Sequence, residues 1–153
     1  MSDFEVSGFL ADSVAVAEGK LYIHGGGWNR IMVGSLPARH DRIGIGLLLR
    51  ASGAARGPHR FELRVLDPDD RELTLGADGS VRRPGGEVTL QGGASDEEVA
   101  IPLAINLDGM VLERAGRYRL VVSVDGRDRL TLAFMVQVRS GTTAPVSGSG
   151  GYL

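Results

Sequence analysis

Three histidines, three clustered aspartates, a run of three glycines and a set of arginines are the groups in this chain that could do chemistry. Gly25-Gly26-Gly27 is the kind of run whose backbone N–H groups cradle a phosphate. A phosphate loop continues into Gly-Lys-Ser/Thr and a helix, and a dinucleotide loop needs G-x-G-x-x-G opening one. Here Trp28-Asn29-Arg30 follows, so the run is expected to be a bulge or wide turn that folds Trp28 onto a sheet. Asp67, Asp69 and Asp70 would suit Ca²⁺ together with a loop carbonyl. With Pro68 among them they read more simply as a turn between adjacent strands, where aspartates cap the backbone. His24, His40 and His59 are far apart, none forms an H-x-x-x-H pair, and the chain has no cysteine, so neither a zinc site nor a histidine-centred triad is indicated. Ser13, Ser35 and Ser123 lack a nucleophile-elbow setting. No catalytic, cofactor-binding or metal residue is assigned, and the chain is expected not to be an enzyme.

The elements that must position these groups are strands. Tyr118 to Val124 and Leu130 to Val138 alternate apolar and polar residues with period two, the pattern of a strand with one face in a core. Asp125-Gly126 between them supplies the positive φ that a tight hairpin turn needs. Ile43, Ile45, Leu47 and Leu49 share one parity, as do Phe61, Leu63 and Val65, and again Ile101, Leu103, Ile105 and Leu107. Leu73 and Leu75 suggest a short return strand, and Val88 to Leu90 a weak one. Residues 4–16 and 20–24 form a hairpin around Glu18-Gly19. No helix is convincing; Ser95 to Val99 has room for one turn, and Asp96-Glu97-Glu98 reads as a solvated strand entry.

Short strands with turns between them and no helical alternation predict an all-β, antiparallel two-sheet sandwich. Tyr118, at the start of the penultimate strand after a loop, favours an immunoglobulin-like version, in which such a tyrosine turns its hydroxyl back to that loop. Strands 42–50, 59–67, 71–75, 97–107, 117–125 and 129–138 then stand in for B, C, C′, E, F and G. A hairpin extension at 1–34 is laid on one sheet. The domain covers 1–139, and 140–153 is a Gly/Ser-rich tail expected to be flexible.

Two outer faces stand out. Arg60, Arg64, Arg117, Arg119 and Arg129 would gather on the C–F–G sheet, either as edge-protecting decoration or as a weak face for an acidic partner. On the B–E sheet, Gly44, Gly46, Leu48, Ala100, Pro102 and Ala104 point outward. Glycine in a strand often marks a close backbone approach, so this surface should be covered, by the hairpin with Trp28 or by a second copy of the chain.

Bulk properties narrow the classes. The net charge of −2 gives no global pull toward nucleic acid or anionic membrane. The start, Met1-Ser2-Asp3-Phe4-Glu5, has no basic region or long apolar run, and no segment is apolar enough to span a bilayer. A cytoplasmic protein is expected.

The run Leu10-Ala11-Asp12, then Gly19-Lys20-Leu21-Tyr22-Ile23 and Gly25-Gly26-Gly27-Trp28, with Pro58 to Leu63 and Pro102 to Asn106, resembles a family of small bacterial proteins known only as a domain of unknown function. The resemblance covers most of residues 10–138 and implies no activity and no site residue. The function expected is a non-enzymatic binding or scaffold module, acting on a protein partner of unknown identity through a sheet face or loops. A homodimer is possible on the B–E face. The alternative is a small-ligand or carbohydrate-binding sandwich with Trp28 as a weak stacking platform; a hydrolase would need a convergent cluster that is not visible.

Overall fold

The period-two stretches become strands, and their apolar parity decides which side faces the core. The computed structural model describes residues 4–52, 55–75, 80, 82–91 and 97–140. The regular structure among them is nine strands: β1 (Phe4–Ala17), β2 (Lys20–Gly26), β3 (Arg30–Val33), β4 (Ala38–Ala51), β5 (Gly57–Leu66), β6 (Gly85–Leu90), β7 (Val99–Leu112), β8 (Gly116–Val124) and β9 (Arg127–Val138). The expected tail beyond residue 140, the turn at Ser95 and the solvated Asp96 lie outside the described residues.

The strands form two sheets, β2-β1-β4-β7 and β3-β9-β8-β5-β6. The all-β, two-sheet architecture is as expected, but two details are not. The second sheet is mixed, because β3 runs parallel to β9. A hairpin forces antiparallel pairing, whereas β3 reaches β9 by crossing from the other sheet and is free of that constraint. The neighbour of β5 is β6, not a strand at 71–75. Leu75 is buried in the core, and the chain near it meets β5 through the bridge Leu66–Glu72. The weak pattern at Val88 to Leu90 was the visible end of the true edge strand.

The core register holds on every strand for which it was read. Leu63, Val65, Tyr118, Leu120, Val122, Phe134, Val136, Ile43, Ile45 and Leu47 are buried. Phe61, Leu132, Ile101, Leu103 and Ile105 have the same parity but are only half-buried. For the last three the reason is position: β7 is an edge strand, so its inward side chains are covered from one side only. Tyr118 stacks on Phe134, with ring centroids 5.3 Å apart. Its hydroxyl donates to the Arg114 carbonyl at 2.9 Å, the loop contact expected of it. Burial foremost pushes the Tyr118 phenol above its ordinary value.

The N-terminal hairpin does two jobs. It is not simply laid on a sheet: from Phe4↔Ala51 to Ala11↔Gly44, β1 zips onto β4 as an interior strand. Beyond Ala11, β1 leaves β4 and carries β2 over the outer face. A Cβ at Gly44 would stand 3.0 Å from the Ser13 backbone, and one at Gly46 would stand 3.0 Å from the Phe9 ring and 3.2 Å from Leu21. Glycine is what lets the hairpin lie this close. Asn106, opposite Gly44 on β7, pins it down. Its side-chain amide donates to the Val14 carbonyl at 2.9 Å and accepts from the Val14 N–H at 3.0 Å. The two glycines are therefore covered within one chain, while Ala104 is half-buried and Ala100 exposed.

Candidate functional site

The outer face of the second sheet carries the arginines read either as edge-protecting decoration or as a face for an acidic partner, and several of them are tied to carboxylates. Arg60 pairs with Glu62 at 3.1 Å, Arg64 with Asp128 at 2.7 Å, and Arg119 with Asp70. Arg83, from the segment leading into β6, bridges Glu72 at 2.8 Å. The Arg64 guanidinium, through its hydrogen bond above all, holds the Asp128 carboxyl below the usual carboxylate range. Glu62 shares the outward parity of Arg60 on β5; alternation along single strands could not show the other partners, because Asp128 comes from β9 and Asp70 and Glu72 from the turn after β5 and the residues that follow it.

The pairs also shield apolar surface. Val121 and Ser123 have outward parity, yet only 4% and 7% of their surfaces are exposed. The Arg64–Asp128 pair joins β5 to β9 and so spans β8, where Val121 is opposite Arg64 and Ser123 opposite Asp128. The Arg64 side chain is itself only 24% exposed, and a long arginine stem covers apolar surface in this way. A nearby hollow of about 280 Å³ is lined by Arg60, Glu62, Arg83, Gly85, Gly86 and Glu87. Its two arginines and two glutamates balance, so it offers no net field for an anion.

The Trp28 platform is half used up. The indole is half-buried against the core, its N–H donates to Asp12 at 3.0 Å, and the His40 ring packs against it edge-on at 6.3 Å. The glycine run is not wholly the expected bulge or wide turn: Gly25 and Gly26 end β2, with Gly26 still opposite Ala11, and the chain bends only at Gly27. Gly25 and Gly27 have φ of +58° and +91°, and the Gly27 N–H donates to the Leu10 carbonyl at 2.8 Å. A side chain at Gly25 would collide with the Asp12 carboxylate. The Leu10-Ala11-Asp12 and Gly-Gly-Gly-Trp segments, separate in sequence, thus form one clasp, and Asn106 of the Pro-Leu-Ala-Ile-Asn segment forms another. Asp12, Gly25, Trp28 and Asn106, all within segments that carry the family resemblance, hold the hairpin in place.

The aspartates at 67–70 build a turn. Asp67 accepts from the N–H groups of Asp69 and Arg71 at 2.8 and 2.9 Å. Asp69 and Asp70 are paired with Arg114 and Arg119. Among the described residues no three His, Asp or Glu side chains converge as a metal would require.

His59 is the histidine with a demanding environment. Its Nδ1 lies 2.6 Å from Asp125 and its Nε2 2.8 Å from the Ala55 carbonyl. A carboxylate and a carbonyl only accept, so the protonated ring, with hydrogen on both nitrogens, is the form that satisfies both contacts. The side chain is 15% exposed, and Phe4 meets it edge-on at 4.5 Å. Asp125 also accepts from the Arg60 N–H at 2.9 Å, so the Asp-Gly turn is tied both to β5 and to the loop before it. Burial, the largest single influence, opposes the charge. The hydrogen bonds to Asp125, Ala55 and Arg56, with the Asp125 charge, outweigh it and raise the pKa above its ordinary value. The sign follows: this contribution is complete below the unfolded pKa of about 6.5 and is lost as pH rises through the higher folded value. Asp125 is lowered, chiefly by His59, so its contribution is lost on the acid side as pH falls through its own folded value. The urea midpoint is expected to decline as pH is raised from about 6.5, and His59→Gln is expected to flatten that decline. An equal decline in the variant would show that another group carries it.

Arg30 and Arg117 make a cationic spot on this face. Met135 of β9 is opposite Arg117 on β8 and opposite Arg30 on β3. Ile31 and Val136, paired beside them, are both buried, so Arg30, Met135 and Arg117 point outward in one row. Neither arginine makes an ion pair among the described residues. A groove of about 280 Å³ lined by Asn29, Arg117, Ala133, Phe134 and Met135 opens beside them, and Met32 follows on β3, 44% exposed. Arg117 was expected on this face; Arg30 was not. The alternation Arg30-Ile31-Met32-Val33 was a signal for it, but its parallel partner was not readable.

Solved structures offer distant likenesses. The alkylpurine DNA glycosylase AlkC of Pseudomonas fluorescens, bound to DNA with an abasic-site analogue, is 13% identical with a TM-score of 0.45; the match covers 89% of this chain and 31% of that one. A β-glucosidase of Listeria innocua is 12% identical with a TM-score of 0.48, covering 88% and 16%. An immunoglobulin-like protein of Pseudomonas aeruginosa is 14% identical with a TM-score of 0.36, covering 89% and 98%. This chain therefore spans less than a third of the first two proteins, and no activity follows from either. No curated protein matches. A family model matches residues 6–137; the chain belongs to that family of unknown function, DUF6941.

Proposed function

We propose that the chain is a non-enzymatic binding or scaffold module of the bacterial cytoplasm, built as an immunoglobulin-like sandwich, that engages a protein partner through the outer face of β3, β9 and β8. The observation that carries this reading is the Arg30–Met135–Arg117 row. On a face whose other charges are largely tied to one another, it leaves two cations unused beside the half-buried Met135 and the exposed Met32. Arginine and methionine are both enriched where proteins meet one another. The tyrosine contact at the start of β8 supports the immunoglobulin-like reading. Among the described residues no helix is long and apolar enough to cross a membrane. The carbohydrate reading is less favoured, because the Trp28 indole already spends its N–H on Asp12 and part of its ring on the core.

The test is differential recovery of partners from extracts of the native host by the immobilised full chain. The unaltered chain and an Arg60→Gln control are expected to retain the same partner. An Arg30→Glu/Arg117→Glu variant is expected to lose it. Recovery of identical proteins by all three would contradict the assignment of this face.

A further inference from the structure

Resting on that sheet-face reading, we infer that the row takes an acidic segment of polypeptide, with one carboxylate seated between the Arg30 and Arg117 guanidiniums and apolar side chains beside it on Met135, Met32 and Ala133. The two arginines belong to strands on either side of β9, so their backbones are roughly 10 Å apart, two strand spacings. Long guanidinium stems can close on a group of carboxylate size over the central strand, and a carboxylate accepts from both in charge-assisted hydrogen bonds. Met135 lies between them as the floor. A thioether adapts its shape and suits aliphatic and aromatic side chains alike.

The rest of the face limits the ligand. A polyanion such as nucleic acid binds by neutralising many phosphates in succession. Here the next arginine on β8, Arg119, is held by Asp70, and beyond it Arg64 is held by Asp128. The chain as a whole carries a charge of −2, which gives no general attraction to an extended anion beyond this spot. A free inorganic anion would use the arginines and leave the methionine floor wet. A polypeptide with an acidic residue next to an apolar one uses both. The partner class is therefore an acidic–apolar segment, recognised locally and sensitively to salt, because the site is exposed.

The experiment measures fluorescence anisotropy of a short capped peptide in which glutamates are spaced by leucine and glycine, added to the full chain at low salt. Binding is expected, and it is expected to weaken about tenfold or more in Arg30→Gln/Arg117→Gln while Arg60→Gln leaves it unchanged. A peptide with glutamine in place of every glutamate is expected not to bind. Equal binding of the glutamate and glutamine peptides would overturn the inference. So would binding that survives loss of both arginines, or tighter binding of a single-stranded oligonucleotide at the same residues. If the peptide is ignored while the arginine variant still loses its cellular partner, the acidic chemistry is wrong and the sheet-face reading stands. If the arginine variant keeps that partner, the face itself is wrong.

Discussion

Deleting residues 1–34 is expected to leave a chain that does not fold. β1 is an interior strand, paired to β2 on one edge and β4 on the other, and β3 closes the edge of the second sheet. The deletion therefore takes strands from both sheets at once. It removes Phe4, Val6, Leu10, Val14, Ile31 and Val33 from the core, all of them buried. At roughly 1.5–3 kcal/mol for each buried apolar side chain, the loss is comparable to the whole net stability of a domain, about 5–15 kcal/mol. It also exposes the backbone edge of β4, an aggregation hazard. Far-ultraviolet circular dichroism and size exclusion check this: the truncated chain should be insoluble, or soluble without a cooperative melt. A monomer that melts as the full chain does would show that the hairpin is an ornament.

The second large effect is Leu120→Ala, expected to destabilise by about 2–5 kcal/mol through lost burial and a residual cavity. Leu120 is in β8, with neighbours on both edges, opposite Val65 on one side and Leu132 on the other, and none of its surface is exposed. Leu132→Ala, on the same face but half-buried, should cost less. Thr131→Ala, on the exposed face of the same strand, should change stability by no more than about 0.5 kcal/mol. Urea unfolding orders the three. A cost at Leu120 no larger than at Thr131 would mean that the inward parity has been misassigned.

Much of the fold was legible because period two is a local property. Each of Leu63, Val65, Leu120, Val122 and Ile45 declares its face through residues two positions away. What was not legible depends on pieces distant in sequence. The parallel pairing of β3 with β9 needs a crossing between sheets that no turn motif announces. Asp128, Asp70 and Glu72, which neutralise the arginines, reach them from turns and other strands, so a row of outward arginines could be read as decoration or as a patch until its partners were placed. His59 gave no motif signal; its two acceptors come from the loop before it and from a hairpin turn 66 residues away. Arg30 was readable as an outward residue but not as a neighbour of Arg117. The Trp28 and glycine segments were legible as a turn only in part, because Gly25 and Gly26 still belong to β2, and their link to Asp12 explains why those residues stand where they do.

The measurement that bears most directly on the central claim is a methionine-methyl NMR titration of the full chain with the glutamate–leucine peptide. Met32 and Met135 lie on the proposed face, while Met110 is buried in the core and serves as an internal reference. The account predicts that the Met32 and Met135 signals move together with peptide concentration, that the Met110 signal stays in place, and that added salt reverses the shifts. A titration in which Met32 and Met135 do not respond, or in which Met110 moves as far as they do, would contradict the assignment of this face as the binding surface.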